Sequence, residues 1–170
     1  ASAFAAEKHR DQRRKDIQQA PYINHPIAVA ELLANTGNVG DVELLMAAVL
    51  HDTVEDTATS FDELTAAFGQ SVSDLVGEVT DDKLQPKERR KQLQIDNAPR
   101  KSDRAKQLKI ADKICNIRDI DNDSPVNWDG ERKLEYLVWA VNVVEGCRGV
   151  NAALDALFDT EIANARRRLT

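Results

Sequence analysis

The run LLMAAVL at residues 44–50 leads directly into His51 and Asp52, with Glu55 and Asp56 three residues further on. Seven successive apolar residues are enough to be buried as a helix. They deliver one imidazole and three carboxylates to the edge of that buried surface, where charge is costly unless it is paired or bound to a metal ion. On a helix, residues four apart share a face, which sets His51 below Glu55 and Asp52 below Asp56. Two readings fit these residues alone. One is a solvated helix end with acidic side chains just past the core. The other is a metal-binding His-Asp dyad with a second acidic pair that handles water, and it requires further ligands elsewhere in the chain.

Nearly every other segment also reads as helix. Sustained alternation is missing, β-branched runs are few and aromatics make up only 5% of the chain, so strand signals are weak. The pattern predicts a first helix over residues 3–14, a loop with Pro21 over 16–24, and a second helix opened by His25-Pro26 that stops near Gly37. Asp41 is the expected N-cap of the helix that carries His51 and Asp52. Ser60 and Glu63 have capping-box spacing for a short helix ending at Gly69. Further helices are expected over 71–81, 86–98, 102–120, 131–146 and 151–169, with a polar connection over 121–130. The fold class is all-α, a bundle of about eight to ten helices. At 170 residues it is expected to form a single domain spanning 1–170.

Charge and composition narrow the function classes. Lys and Arg total 23 against 29 Asp and Glu, a net −6 that argues against general nucleic-acid binding. An anionic substrate then needs a local basic patch. Cys115 and Cys147 lie far apart without CxxC spacing and are expected to be reduced and partly buried, which fits a cytoplasmic protein. No apolar stretch approaches the ~20 residues of a membrane span. The chain opens at ASAFAAEKHR, without methionine and without a signal-peptide pattern.

Three more residues can belong with the dyad. His25 sits beside Pro26 at a helix start, where a rigid backbone can aim the imidazole inward, although a lone histidine there is more often a cap or a core hydrogen-bonder. Asp112 interrupts the otherwise apolar stripe of LKIADKICNI and needs a partner, which a metal or a lysine can supply. Asn116 lies one turn on, on the same face. Two imidazoles and two carboxylates form a mixed N/O set that suits Mn²⁺, Fe²⁺ or Zn²⁺ better than Ca²⁺ or Mg²⁺. A metal held this way lowers the pKa of its bound water, and Glu55 and Asp56 are placed to hold and deprotonate that water.

The segments HRDQRRKD, PYINHP, AAVLHDTVEDT, FG, VTDDK and KIADKICNIRD occur in this order. Together they resemble the small alarmone hydrolases, stand-alone relatives of the hydrolase domain of RelA/SpoT homologues, and the metazoan SpoT-like enzymes in particular. The resemblance covers about residues 4–150. It implies an all-α HD-domain fold with one Mn²⁺ per chain and hydrolysis of the 3′-pyrophosphate of guanosine tetra- or pentaphosphate to GDP or GTP and pyrophosphate. It further implies that His25, His51, Asp52 and Asp112 are metal ligands and that Glu55 and Asp56 act on water. Arg14, Lys15, Tyr22, Asn116, Arg132 and Tyr136 fall where such enzymes contact nucleotide, and Lys87 is a further candidate for the phosphates. None of the metal positions departs from the family pattern. The chain is too short for the synthetase and regulatory domains of the long relatives.

Arg10, Arg13, Arg14 and Lys15 form a basic end to the first helix. Arg14 and Lys15, nearest the loop to His25, are the preferred phosphate contacts, and a planar guanidinium at Arg14 can also stack on a purine. His9 reads as a surface residue, and Trp128 and Trp139 as packing or interface residues. Tyr136 shares a helix face with Arg132. Neither a Gly-rich phosphate loop nor a Ser/His/Asp arrangement is present, so covalent catalysis has no support. Removal of the 2′-phosphate of NADPH is the enzymatic alternative, since both substrates offer a ribose phosphate to the same ligands. A nucleotide-binding regulatory module without turnover is the non-enzymatic one. The expected partner is a small nucleotide, with no nucleic acid and no membrane, in a monomer or weak homodimer.

Overall fold

The computed structural model describes residues 1–122, 125 and 127–169, and every statement of absence below concerns those residues. They form ten α-helices and no strand: α1 Ser2–Lys8, α2 Asn24–Asn35, α3 Val42–Leu50, α4 Thr53–Asp56, α5 Phe61–Phe68, α6 Gln70–Val79, α7 Lys87–Asn97, α8 Asp103–Asn122, α9 Gly130–Glu145 and α10 Ala152–Leu169. A 3₁₀ turn at Ala98–Arg100 separates α7 from α8. The expected caps are present. Asp41 accepts from the amides of Glu43 and Leu44, and Ser60 accepts from the amide of Glu63. Gly69, at φ 87°, joins α5 to α6 in a conformation that other residues adopt only with strain.

The centre of the bundle is α8, which packs against α2, α3, α6, α9 and α10. Residues 108–115 are buried without interruption. A helix enclosed on all sides needs apolar residues all round. Leu108, Ile110, Ala111, Ile114 and Ile117 supply them. The exceptions are Lys109, Asp112 and Lys113, each at most 8% exposed. Lys109 donates to the Val79 carbonyl at 2.9 Å, and the other two belong to the site below. No helix is long and apolar enough to cross a membrane.

Several boundaries differ from the sequence reading. The first helix ends at Lys8 rather than near residue 14, because His9 turns inward and is 2% exposed instead of lying on the surface. The chain then loops through an isolated antiparallel bridge between Arg13 and Pro21. The helix through the dyad is likewise not continuous. His51 closes α3 and Asp52 opens α4. The Thr53 hydroxyl donates to the Leu50 carbonyl at 2.6 Å across this break. The polar connection expected over 121–130 overlaps residues 123, 124 and 126, which lie outside the described residues, and α8 runs to Asn122.

At the end of α9 the backbone approaches the 3₁₀ turn closely. A Cβ on Gly146 would stand 2.7 Å from Ala98 Cβ and 2.9 Å from Pro99 Cδ. Replacing a helix glycine by alanine normally stabilises by roughly 0.5–1 kcal/mol. Here Gly146→Ala is expected to destabilise by about 1–3 kcal/mol through overpacking. The midpoint of urea unfolding checks it, and a raised midpoint would contradict this packing.

Candidate metal centre and substrate cleft

His25, His51 and Asp52 come together where α2 meets the α3–α4 break, with one ligand atom from each within 4.8 Å of the others. His51 Nδ1 donates to the Ala48 carbonyl at 2.7 Å. That bond fixes the tautomer and leaves the Nε2 lone pair facing the cluster, buried and without a partner. Asp52 Oδ2 lies 3.2 Å from that Nε2. It also accepts from the Tyr22 hydroxyl at 2.6 Å. Asp112, reaching in from α8, places Oδ1 3.2 Å from His25 Nε2 and 3.9 Å from His51 Nε2. The four candidate ligands named from the sequence therefore converge. An inward lone pair that nothing in the protein satisfies, set among carboxylates, fits a divalent cation with N/O preference.

The electrostatics agree with that fit. Burial by itself would raise the Asp112 carboxyl, but Lys113, then His25 and His51, hold it well below the usual range. Asp52 is likewise depressed against its burial, chiefly by His51 beside it. Burial works against a charged His25, yet Asp112 and Asp119 draw its pKa up to about 9. The pocket thus attracts positive charge at both imidazoles. Tyr22 is raised by burial and by Asp52, so it stays protonated and donates.

Glu55 and Asp56 sit on α4, one turn beyond the dyad, and each is held by neighbours. The Asp81 amide donates to Glu55 Oε2 at 3.2 Å, and Arg90 Nη1 stands 3.6 Å from Oε1. Asp56 accepts from Gln12 Nε2 at 3.0 Å and pairs with Lys83. Burial raises the Glu55 carboxyl above its usual value, with Asp81, Asp52 and Asp56 adding to the effect and the Asp81 amide opposing it.

A cleft of about 770 Å³ opens beside this cluster. Arg14, Lys15, Tyr22, Asn116 and Tyr136 line it together with His25 and Asp56. Asn116 Nδ2 donates to Asp112 Oδ1 at 2.7 Å, so it braces that carboxylate as well as facing the cleft. Arg14 stands over the Tyr22 ring, 5.6 Å from its centroid, and is paired with Asp119. Two sequence candidates lie elsewhere. Lys87 is exposed on α7 and does not line the cleft, and Arg132 is exposed over the Trp128 ring at 4.9 Å. Trp128 lines the cleft and packs against the Tyr136 ring with centroids 5.7 Å apart, whereas Trp139 donates to the Lys91 carbonyl at 3.1 Å and packs against Tyr136.

Residues not singled out from the sequence also shape the site. Lys113 Nζ donates to Asp112 Oδ2 at 2.9 Å and lies 4.6 Å from the Trp139 ring centroid. Asp119 Oδ2 is 3.8 Å from His25 Nδ1, within ion-pair but beyond hydrogen-bond distance. Gln12, Lys83, Lys113 and Asp119 all fall inside the segments HRDQRRKD, VTDDK and KIADKICNIRD, so the signal that could have found them was their place in those segments.

The HD-domain family profile matches residues 1–141. Among curated proteins, the guanosine-3′,5′-bis(diphosphate) 3′-pyrophosphohydrolase MESH1 of Xenopus tropicalis is 51% identical over 159 residues, covering 94% of this chain and 89% of its own. The Homo sapiens MESH1 is 51% identical over 155 residues, 91% of this chain and 87% of its own. A solved structure of a metazoan ortholog of SpoT, described as hydrolysing ppGpp and acting in starvation responses, superposes with a TM-score of 0.94 at 47% identity. It covers 99% of this chain and 94% of that one.

The Lys113–Asp112 pair is buried, with Lys113 only 4% exposed. Removing one partner of such a pair strands the other. Lys113→Met is expected to destabilise chelator-stripped protein by about 3–5 kcal/mol in urea unfolding. A loss below about 1 kcal/mol would mean that His25 and Asn116 satisfy Asp112 by themselves.

Proposed function

The chain belongs to the HD-domain family, and we propose that it removes the 3′-pyrophosphate of guanosine tetra- and pentaphosphate, giving GDP or GTP and pyrophosphate. One observation carries the reading. The orphaned, inward-facing Nε2 of His51, with His25, Asp52 and Asp112 around it, is a ready divalent-metal site beside a cleft of nucleotide dimensions. The relatives named above, about half identical over nearly the whole chain, carry the same activity in their names.

In this reading His25, His51, Asp52 and Asp112 hold one Mn²⁺, with Zn²⁺ or Fe²⁺ able to take its place. The bound ion supplies Lewis-acid charge for the phosphoryl oxygens and acidifies the attacking water. Glu55, raised by burial, accepts the proton from that water, and Asp56 orients it. Tyr22 holds Asp52 in its rotamer through the 2.6 Å bond. Arg14 and Lys15 bind the phosphates, and Tyr136 and Asn116 line the same cleft. Arginine's fork suits phosphate oxygens, and its plane can stack on the base. Lys87 and Arg132, outside the cleft lining, are demoted to outer contacts. The free, buried Cys115 and Cys147 support a reducing, cytoplasmic setting.

The decisive experiment is turnover of guanosine 3′,5′-bis(diphosphate) by Mn²⁺-loaded protein beside NADPH under the same conditions. GDP and pyrophosphate should appear in equal amounts, with kcat/KM above that for NADPH. Phosphate release from NADPH alone would replace the alarmone as substrate.

Reconstituted protein is expected to bind about one ion per chain, and both His51→Ala and Asp52→Ala should lose metal and activity together. Full metal occupancy in either variant would remove that residue from the ligand set.

A general base works deprotonated, so kcat should fall as pH is lowered through the raised Glu55 value. Glu55→Gln should keep its metal, reduce kcat by a factor on the order of 10² or more, and abolish that acidic limb. Metal loss in this variant would instead make Glu55 a ligand.

A further inference from the structure

The chain has three histidines, and two meet at the candidate metal centre. The third, His9, is 2% exposed, and its ring packs against Tyr22 with centroids 5.0 Å apart. Its Nδ1 lies 2.7 Å from Gln12 Oε1. Gln12 Nε2 in turn donates to Asp56 Oδ2 at 3.0 Å. The directions of these bonds follow from the groups themselves. An ionised carboxylate only accepts, so Gln12 must turn its NH₂ toward Asp56 and its oxygen toward His9. An amide oxygen also only accepts, so the His9 proton sits on Nδ1. Donation therefore runs one way, from His9 through Gln12 to Asp56.

We propose that His9 and Gln12 are positioning residues that set the plane of the Asp56 carboxylate from inside the protein. The proposal rests on the water-orienting role given to Asp56 above. Packing alone does not explain the histidine. Its Nε2 is buried without a partner, a defect that phenylalanine in the same place would not have. Asp56 has a second anchor, Lys83, on its other oxygen, but that side chain is 49% exposed and comes from a surface loop. Gln12 is tied to a buried ring on one side and to the carboxylate on the other. Two donors, one on each oxygen, fix the plane, and the His9–Gln12 side is the stiffer of them. The loop that carries Gln12 also returns to Tyr22, whose hydroxyl holds Asp52. One segment thus sets a carboxylate of the metal cluster and the carboxylate that handles water.

The test compares kcat, KM and bound metal for Gln12→Met, His9→Phe and His9→Asn, with Gln12→Met also placed in an Asp56→Asn background. Gln12 is only half-buried, so its variant probes the chain without opening the core. Gln12→Met and His9→Phe are expected to lower kcat by about tenfold or more, with KM and metal within about twofold, as for a misplaced catalytic group. His9→Asn, whose amide nitrogen lies close to the position of Nδ1, should recover most of the loss. In the Asp56→Asn background Gln12→Met should cost nothing further, since there is no carboxylate left to orient. Equal losses in His9→Phe and His9→Asn, or the same fold loss from Gln12→Met in both backgrounds, would overturn the proposal in favour of a structural role. Unchanged kcat in Gln12→Met alongside a crippled Asp56→Asn overturns the positioning chain alone, whereas full activity in Asp56→Asn overturns the role of Asp56 and the chain with it.

Discussion

A carboxylate in the middle of a helix that is buried all round must be neutralised by whatever surrounds it, and the arrangement around Asp112 follows from that need. Lys113 takes one oxygen, and Asn116 and His25 face the other. His25 is brought there by α2, whose packing against α3 in turn sets the α3–α4 break and its His51-Asp52 pair beside the same carboxylate. Replacing Asp112 by an apolar residue would suit the core better. Under the proposed function, its place there is the cost of a site for a cation at the centre of the bundle.

Much of this was legible in the sequence, and for identifiable reasons. Helix starts are written in short-range chemistry, so Asp41 and Ser60 were readable as caps without any knowledge of the tertiary fold. The convergence of His25, His51, Asp52 and Asp112 was readable because buried charge in an apolar run has few explanations. The end of α1 was not. Nothing in EKHRDQRRKD is a strong stop signal, and the helix is broken by a tertiary event, the burial of His9 against Tyr22. The interruption between His51 and Asp52 is similar. Residues 44–56 are locally helical by pattern, and a side-chain bond from Thr53 to Leu50 marks the change of direction.

Long charged side chains were the least legible. Lys87 and Arg90 are one turn apart in the same basic run, yet Arg90 reaches Glu55 while Lys87 faces solvent. Position along the helix decides between them, Lys87 opening α7 and Arg90 lying one turn in, and the reach to Glu55 depends on how α7 docks against α9. The place of Trp128 in the cleft was not legible for the same kind of reason. An aromatic residue in a polar connection has no periodic neighbours from which its direction can be read, and its place in the cleft follows from α9 and the ring of Tyr136.

The pairing of Arg14 with Asp119 gives the cleft an internal counterion. A phosphate that engages Arg14 displaces a fixed carboxylate rather than an atmosphere of dissolved ions, so the exchange releases little to bulk solvent. Affinity for a polyanion then depends less on ionic strength than the number of cations near the cleft would suggest. The displaced carboxylate stays beside His25, with Oδ2 3.8 Å from Nδ1, where its own negative charge is free to favour a proton on that nitrogen.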